Sequence, residues 1–204
     1  MRSTTDAINS YITDMLSLEE HIHKAVKGQI EDLNGDAQVV AELETIQRWV
    51  QHHVEDLKQL RETRGAATAT DAIKRAGSSI LGLAAGAIDL VRNEGLPKNL
   101  RDDYTAFSLA AIGYVMLNTA SLALGDQEVA DLANQHLRDY TKAVIGLHSI
   151  IPAAVVRSLK QEGLPAREDI LKDASRNVTE AWRLGETEQA HTAGETTVQG
   201  TPSY

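Results

Sequence analysis

Residues 102–144 read DDYTAFSLAAIGYVMLNTASLALGDQEVADLANQHLRDYTKAV, and their periodicity decides the fold. Before the dipeptide Gly125-Asp126, the apolar side is Tyr104, Phe107, Ala111, Tyr114, Val115 and Leu122. After it, Val129, Leu132, Leu137, Tyr140, Val144 and Leu147 continue in helical rather than alternating spacing. Between the two runs, Gly125 suits the left-handed residue that ends a helix, and Asp126 suits the cap of the next. The stretch is therefore two long helices folded back on each other, over about 99–124 and from about 127 onward. Pro152 should kink or break the second of them, because proline removes a backbone donor and crowds the preceding turn.

The same pattern extends toward the N-terminus. Ile8, Ile12, Met15, Ile22 and Val26 line a helix over about 5–33, and Val39, Leu43, Ile46, Val50, Leu57 and Leu60 line another over about 37–62. Asn34-Gly35-Asp36 between them reads as a stop followed by a start. Residues 72–95, AIKRAGSSILGLAAGAIDLVRNEG, contain Gly82 and Gly86 at the spacing that allows close helix approach, and predict an extra small-residue helix. EGLP occurs at Glu94–Pro97 and again at Glu162–Pro165, each time as the end of one helix and the opening of the next. A shorter helix over about 166–184 closes the domain.

These elements predict an all-α four-helix bundle with a crossover between the second and third long helices, occupying residues 1–185. Residues 186–204 hold acids, Thr and Gly with little to bury, and predict a disordered acidic tail.

Composition narrows the function classes. A net charge of −9 without a continuous basic stripe argues against nucleic acid as a partner. The absence of cysteine excludes disulfides and thiol chemistry. The opening MRSTTDAINSY lacks a signal peptide's apolar stretch, and no segment has roughly 18 uninterrupted apolar residues. The expectation is a soluble cytoplasmic protein with no integral membrane association.

Polar residues on the apolar stripes carry the functional signal. Glu19 falls on the stripe of the first helix, His53 between Val50 and Leu57 on the second, Asp103 beside Tyr104 on the third, and His136 between Ala133 and Tyr140 on the fourth. In bundles of this shape, one Glu from each of two helices and a Glu-x-x-His from each of the others hold a metal pair. Here Val50 and Ala133 stand three residues before the two histidines, so that motif is incomplete. A literal Glu-x-x-His at Glu20–His23 faces outward with Leu16 and Lys27 and reads as solvated surface. His52 lies off the stripe and is expected to be exposed, while Glu55-Asp56 reads as a solvated acidic face.

The stretches TDMLSLEEHIHKAV, HHVEDLKQL and residues 102–144 resemble the bacterial stress-associated ferritin-like proteins. The resemblance covers most of residues 7–150 and implies a four-helix bundle, often dimeric, with a di-metal carboxylate site. It matches Glu19 to the first-helix glutamate, His52 or His53 to the second-helix ligand region, Asp102 or Asp103 to the third-helix acid and Asp139 to a fourth-helix acid. Thr105 and Tyr140 stand where the family has further acids.

Two readings follow. In the first, Glu19, His53, Asp103 and His136 are ligands of an altered or vestigial site for iron or manganese, with oxygen or peroxide chemistry in stress protection. His52 and Asp139 then serve as alternate or supporting groups. Few carboxylates favour one ion over two. In the second, His53 and Glu19 simply satisfy each other, and the bundle is a metal-free module. It would form a homo-oligomer, a dimer, through the crossover helix and its Gly77, Gly82 and Gly86.

Overall fold

The computed structural model describes residues 3–33, 37–65 and 95–183. The turn at 34–36, the small-residue helix expected within 72–95 and the acidic tail lie outside the described residues. Four long helices are present: α1 (Thr4–Asp32), α2 (Ala37–Thr63), α3 (Leu96–Ala123) and α4 (Gln127–Gln161). A shorter helix, α5, covers 171–183, and no strand occurs among the described residues. The chain divides into two compact units, Met1–Ile151 and Pro152–Tyr204.

Local chemistry sets the helix ends. At the start of α1 the Ser3 hydroxyl accepts from the Asp6 amide while the Asp6 carboxylate accepts from the Ser3 amide, a reciprocal capping box. Pro97 occupies the first turn of α3, where its missing N–H costs nothing. Gly125, at φ 76°, closes α3: its amide donates to Leu122 O, the Asp126 amide donates to Ser121 O at 2.8 Å, and Asp126 Oδ1 accepts from the Val129 amide. The same pair of bonds recurs at Gly163, φ 80°, where the amides of Gly163 and Leu164 donate to Lys160 and Leu159 carbonyls.

Directions within the first unit follow from which residues meet. α1 runs antiparallel to α2, because Arg64 Nε donates to Asn9 and His53 meets Glu19. It also runs antiparallel to α3, because Glu19 meets Tyr114 while Gln29 bonds Asp103. α2 and α3 are therefore parallel, and their connection is a crossover. α4 returns antiparallel to α2, with His53 against Asp139 and His136 against Asp56. At one end Arg64 also pairs with Asp126, tying the end of α2 to the α3–α4 turn.

The core is the inward stripe of all four helices. Ile8, Ile12, Leu43, Leu57, Phe107, Leu117 and Leu147 are each at most 1% exposed, and each such burial stabilises by roughly 1.5–3 kcal/mol. α3 departs from expectation. Its buried face is Leu100, Asp103, Phe107, Ala110, Tyr114, Leu117 and Ser121, whereas Val115 and Leu122 are exposed. Residues 104–124 carry no charged side chain, so apolar periodicity alone does not fix the rotation of this helix. By length and composition α3 and α4 also reach what a membrane span requires, a measure that core helices pass as well.

Two further expectations change. Of the kink or break expected at Pro152, the break does not occur: α4 stays helical to Gln161, and one lost backbone bond in so long a helix is tolerated where Leu147, Ile150, Ala154 and Val156 are buried. The last helix begins at 171 rather than 166, because the segment after Gly163 forms turns first. In that second unit Arg176 pairs with Asp173 and Glu180, and Arg167 with Asp169.

Candidate functional site

Halfway along the bundle each inward stripe carries a polar residue. α1 supplies Glu19 and α3 supplies Tyr114. α2 supplies His53 with Asp56 one turn on, and α4 supplies His136, Asp139 and Tyr140. Glu19 is fully buried, and His53, His136, Tyr114 and Tyr140 are at most 1% exposed. Glu19 Oε1 accepts from the Tyr114 hydroxyl at 2.5 Å and lies 3.2 Å from His53 Nδ1. Its other oxygen accepts from the Tyr140 hydroxyl at 2.6 Å. His136 Nδ1 is 3.0 Å from the Tyr114 oxygen. The two imidazoles stack, with centroids 3.9 Å apart.

The outer edges of the two rings face carboxylates. His53 Nε2 is 3.5 Å from Asp139 Oδ2, and His136 Nε2 is 3.1 Å from Asp56 Oδ2. His52, exposed as expected, reaches the same Asp56 oxygen from outside at 3.3 Å. Lys142 bonds Asp139 Oδ1 at 2.9 Å and lies over the half-buried Trp49 ring.

Electrostatics fix most of the protons. Burial, reinforced by the Glu19 charge, pushes both the Tyr114 and the Tyr140 phenol well above the usual range, so both hold their protons. Burial and then the neighbouring His53 lower His136 to about 4 despite Asp56, so this imidazole is neutral near pH 7. Tyr114 gives its single proton to Glu19, so its oxygen accepts from His136 Nδ1–H. The Nε2 of that imidazole lies at hydrogen-bond distance from Asp56 Oδ2. His53 Nδ1 faces Glu19, which turns its Nε2 toward Asp139.

The structure therefore brings together three of the four expected ligands, Glu19, His53 and His136. Asp103 is elsewhere. It sits near the opposite end of α3, eleven residues or roughly 16 Å of helix from Tyr114, beside Gln29 of α1. Its Oδ2 and Gln29 Oε1 are both buried without a hydrogen-bond partner. Burial pushes the Asp103 carboxyl up to about 7, against the Gln29 bond and with the help of Asp102.

Asp56 was expected in a solvated face, but it is part-buried and turned onto His136. The signal that reveals it is a repeat, His53-x-x-Asp56 and His136-x-x-Asp139. Residues three apart share a helix face, and two such pairs on antiparallel helices cross, each histidine meeting the other helix's aspartate.

A di-metal carboxylate set does not fit these residues. At this level α3 presents Tyr114 and no acid, and Val50 and Ala133 stand three residues before the two histidines. Among the described residues, no three acidic or imidazole groups converge on a single ion as they stand. What the arrangement offers is two imidazole nitrogens, each facing a carboxylate, backed by a carboxylate held by two phenols. No family model matches the chain, and no characterised protein matches it.

Proposed function

We infer that this protein binds a single divalent transition ion inside the bundle, as a ferritin-like scaffold whose di-metal centre has been altered. The observation that carries this reading is the meeting of two buried imidazoles and three acids from three helices at the centre of the bundle. Six polar contacts link the two tyrosines, two histidines and three acids. Three carboxylates supply the negative charge that a dication needs. Imidazole and carboxylate ligands together suit iron, manganese or zinc; iron or manganese agrees with the resemblance to stress-associated proteins.

The test is elemental analysis of the full chain, purified without chelator and reloaded with iron, manganese or zinc. About one ion per chain is expected in the wild type. A His53→Asn, His136→Asn double variant, in which the amide can still donate inward but the outer nitrogen is gone, should hold none. An empty wild type under every loading condition would make the bundle a metal-free module.

A further inference from the structure

We propose that the outer face of α3 is a docking surface for this chain's own crossover, with residues 71–92 laid along it as an antiparallel helix. That face carries Thr105, Leu109, Ile112 and Met116 at helical spacing, and none of them is buried: Ile112 is 59% and Met116 50% exposed. On its other side the same helix buries Phe107, Ala110, Tyr114 and Leu117 in the bundle. A helix that is apolar all round belongs in an interior rather than at an edge. Residues 104–124, which carry no charge, therefore need cover on the outside as well.

Three observations choose the occupant. The first is where the crossover starts and ends. The Arg64–Asp126 ion pair holds the end of α2 beside the C-terminal end of α3, and Gly95 is the N-cap of α3. Residues 66–94 therefore leave from one end of α3 and return to the other. The second is length. As a helix these 29 residues reach roughly 43 Å, and the 28 residues of α3 reach roughly 42 Å. The third is pattern. Ile73, Gly77, Ile80, Ala84, Ile88 and Val91 share one side of a helix, and Asp71, Lys74, Arg75, Asp89 and Arg92 share the other. With both ends fixed, an antiparallel helix sets Ile73 against Met116, Gly77 against Ile112, Ile80 against Leu109 and Ala84 against Thr105. The two stripes have the same spacing, and glycine opposite Ile112 allows close approach. Tethering decides against rival occupants. A segment fixed at both ends is present at an effective concentration on the order of millimolar, which a free partner has to match.

The chain has no cysteine, so introduced pairs report without background. In the full-length protein, Ile73→Cys with Met116→Cys and Ile80→Cys with Leu109→Cys should each close an intrachain disulfide on mild oxidation, read as linked peptides by mass spectrometry. The mismatched pair Ala84→Cys with Met116→Cys is offset by eleven residues, roughly 16 Å of helix. It should stay open, because the bond needs Cα atoms within about 7 Å. Helicity of each reduced variant is compared with wild type. A second measurement needs no substitution: under dilute peroxide, Met116 of the wild type should oxidise as slowly as Met15, which is 4% exposed. Failure of both matched pairs to close in variants of wild-type helicity, or closure of matched and mismatched pairs alike, overturns the docking. Met116 oxidation at the rate of a free methionine peptide does so too. Interchain disulfides from Met116→Cys or Leu109→Cys alone would assign the face to a second copy. Protection of Met116 that appears only with phosphatidylcholine vesicles would assign it to a bilayer, and either result overturns the proposal.

Discussion

The ring of His53 lies against that of His136, centroids 3.9 Å apart and planes 26° from parallel, and each ring meets the aspartate three residues beyond the other. Two imidazoles this close repel if both are protonated, and that repulsion helps lower His136 to about 4. His136 is therefore tuned against a proton although its outer nitrogen faces a carboxylate.

The metal-free protein should lose stability as pH falls from about 6.5 to about 4. His136 binds a proton in the unfolded chain before it does in the fold, so acid favours unfolding across that window. The loss is on the order of 2–3 kcal/mol. Urea unfolding at pH 7 and at pH 4.5 measures it, and His136→Asn should remove this contribution to the acid limb.

Asp103 contributes the opposite slope. Its folded pKa of about 7 lies above the ordinary 3.8, so the fold binds the extra proton. Its contribution is full below about pH 4 and is lost as pH rises to about 7. Asp103→Asn should therefore stabilise the protein at pH 8 by on the order of 2–4 kcal/mol and make little difference at pH 4. An asparagine amide can also donate to the partnerless Gln29 oxygen. Equal effects at the two pH values would show that the carboxyl does not titrate in this window.

Truncating Glu19 should unfold the centre from within. Glu19→Ala leaves two buried hydroxyls and the His53 N–H without their acceptor, a loss of about 3–5 kcal/mol. Glu19→Gln keeps one carbonyl acceptor and should cost less. Denaturant midpoints of the two variants at pH 7 decide the order.

Helix α1 approaches α3 at Gly113. A Cβ there would lie 2.5 Å from Met15 Sδ and 3.2 Å from its Cε, and Met15 is only 4% exposed. Alanine gains up to about 1 kcal/mol in helix propensity, but overpacking a buried contact costs about 1–3 kcal/mol. Gly113→Ala should come out destabilised by about 1 kcal/mol, and adding Met15→Leu, which withdraws the crowded atoms, should restore most of it. A Gly113→Ala variant more stable than wild type would show that Met15 swings aside freely.

Much of this molecule is written in local sequence. Helical spacing marks α1 and α2 to within a residue at each end, and the Gly-Asp dipeptide marks the α3–α4 turn through its need for positive φ at Gly125. Glu19, His53 and His136 stand out because a polar residue on an apolar stripe must point inward. Asp103 meets the same criterion and points inward too, yet its height along α3 sets it beside Gln29. Stripe membership gives the face of a helix but not its alignment with its neighbours. The rotation of α3 was equally hidden, since a helix without charges over residues 104–124 looks alike on every side. Sequence by itself thus determined the helices, their ends and the inward residues of the polar centre, because periodicity, capping and turn chemistry act within a few residues. Only the tertiary structure decided which of them meet. Asp56 against His136, Asp139 against His53, and both tyrosines on Glu19 depend on how antiparallel helices slide and rotate against one another, and packing across the whole bundle sets that register.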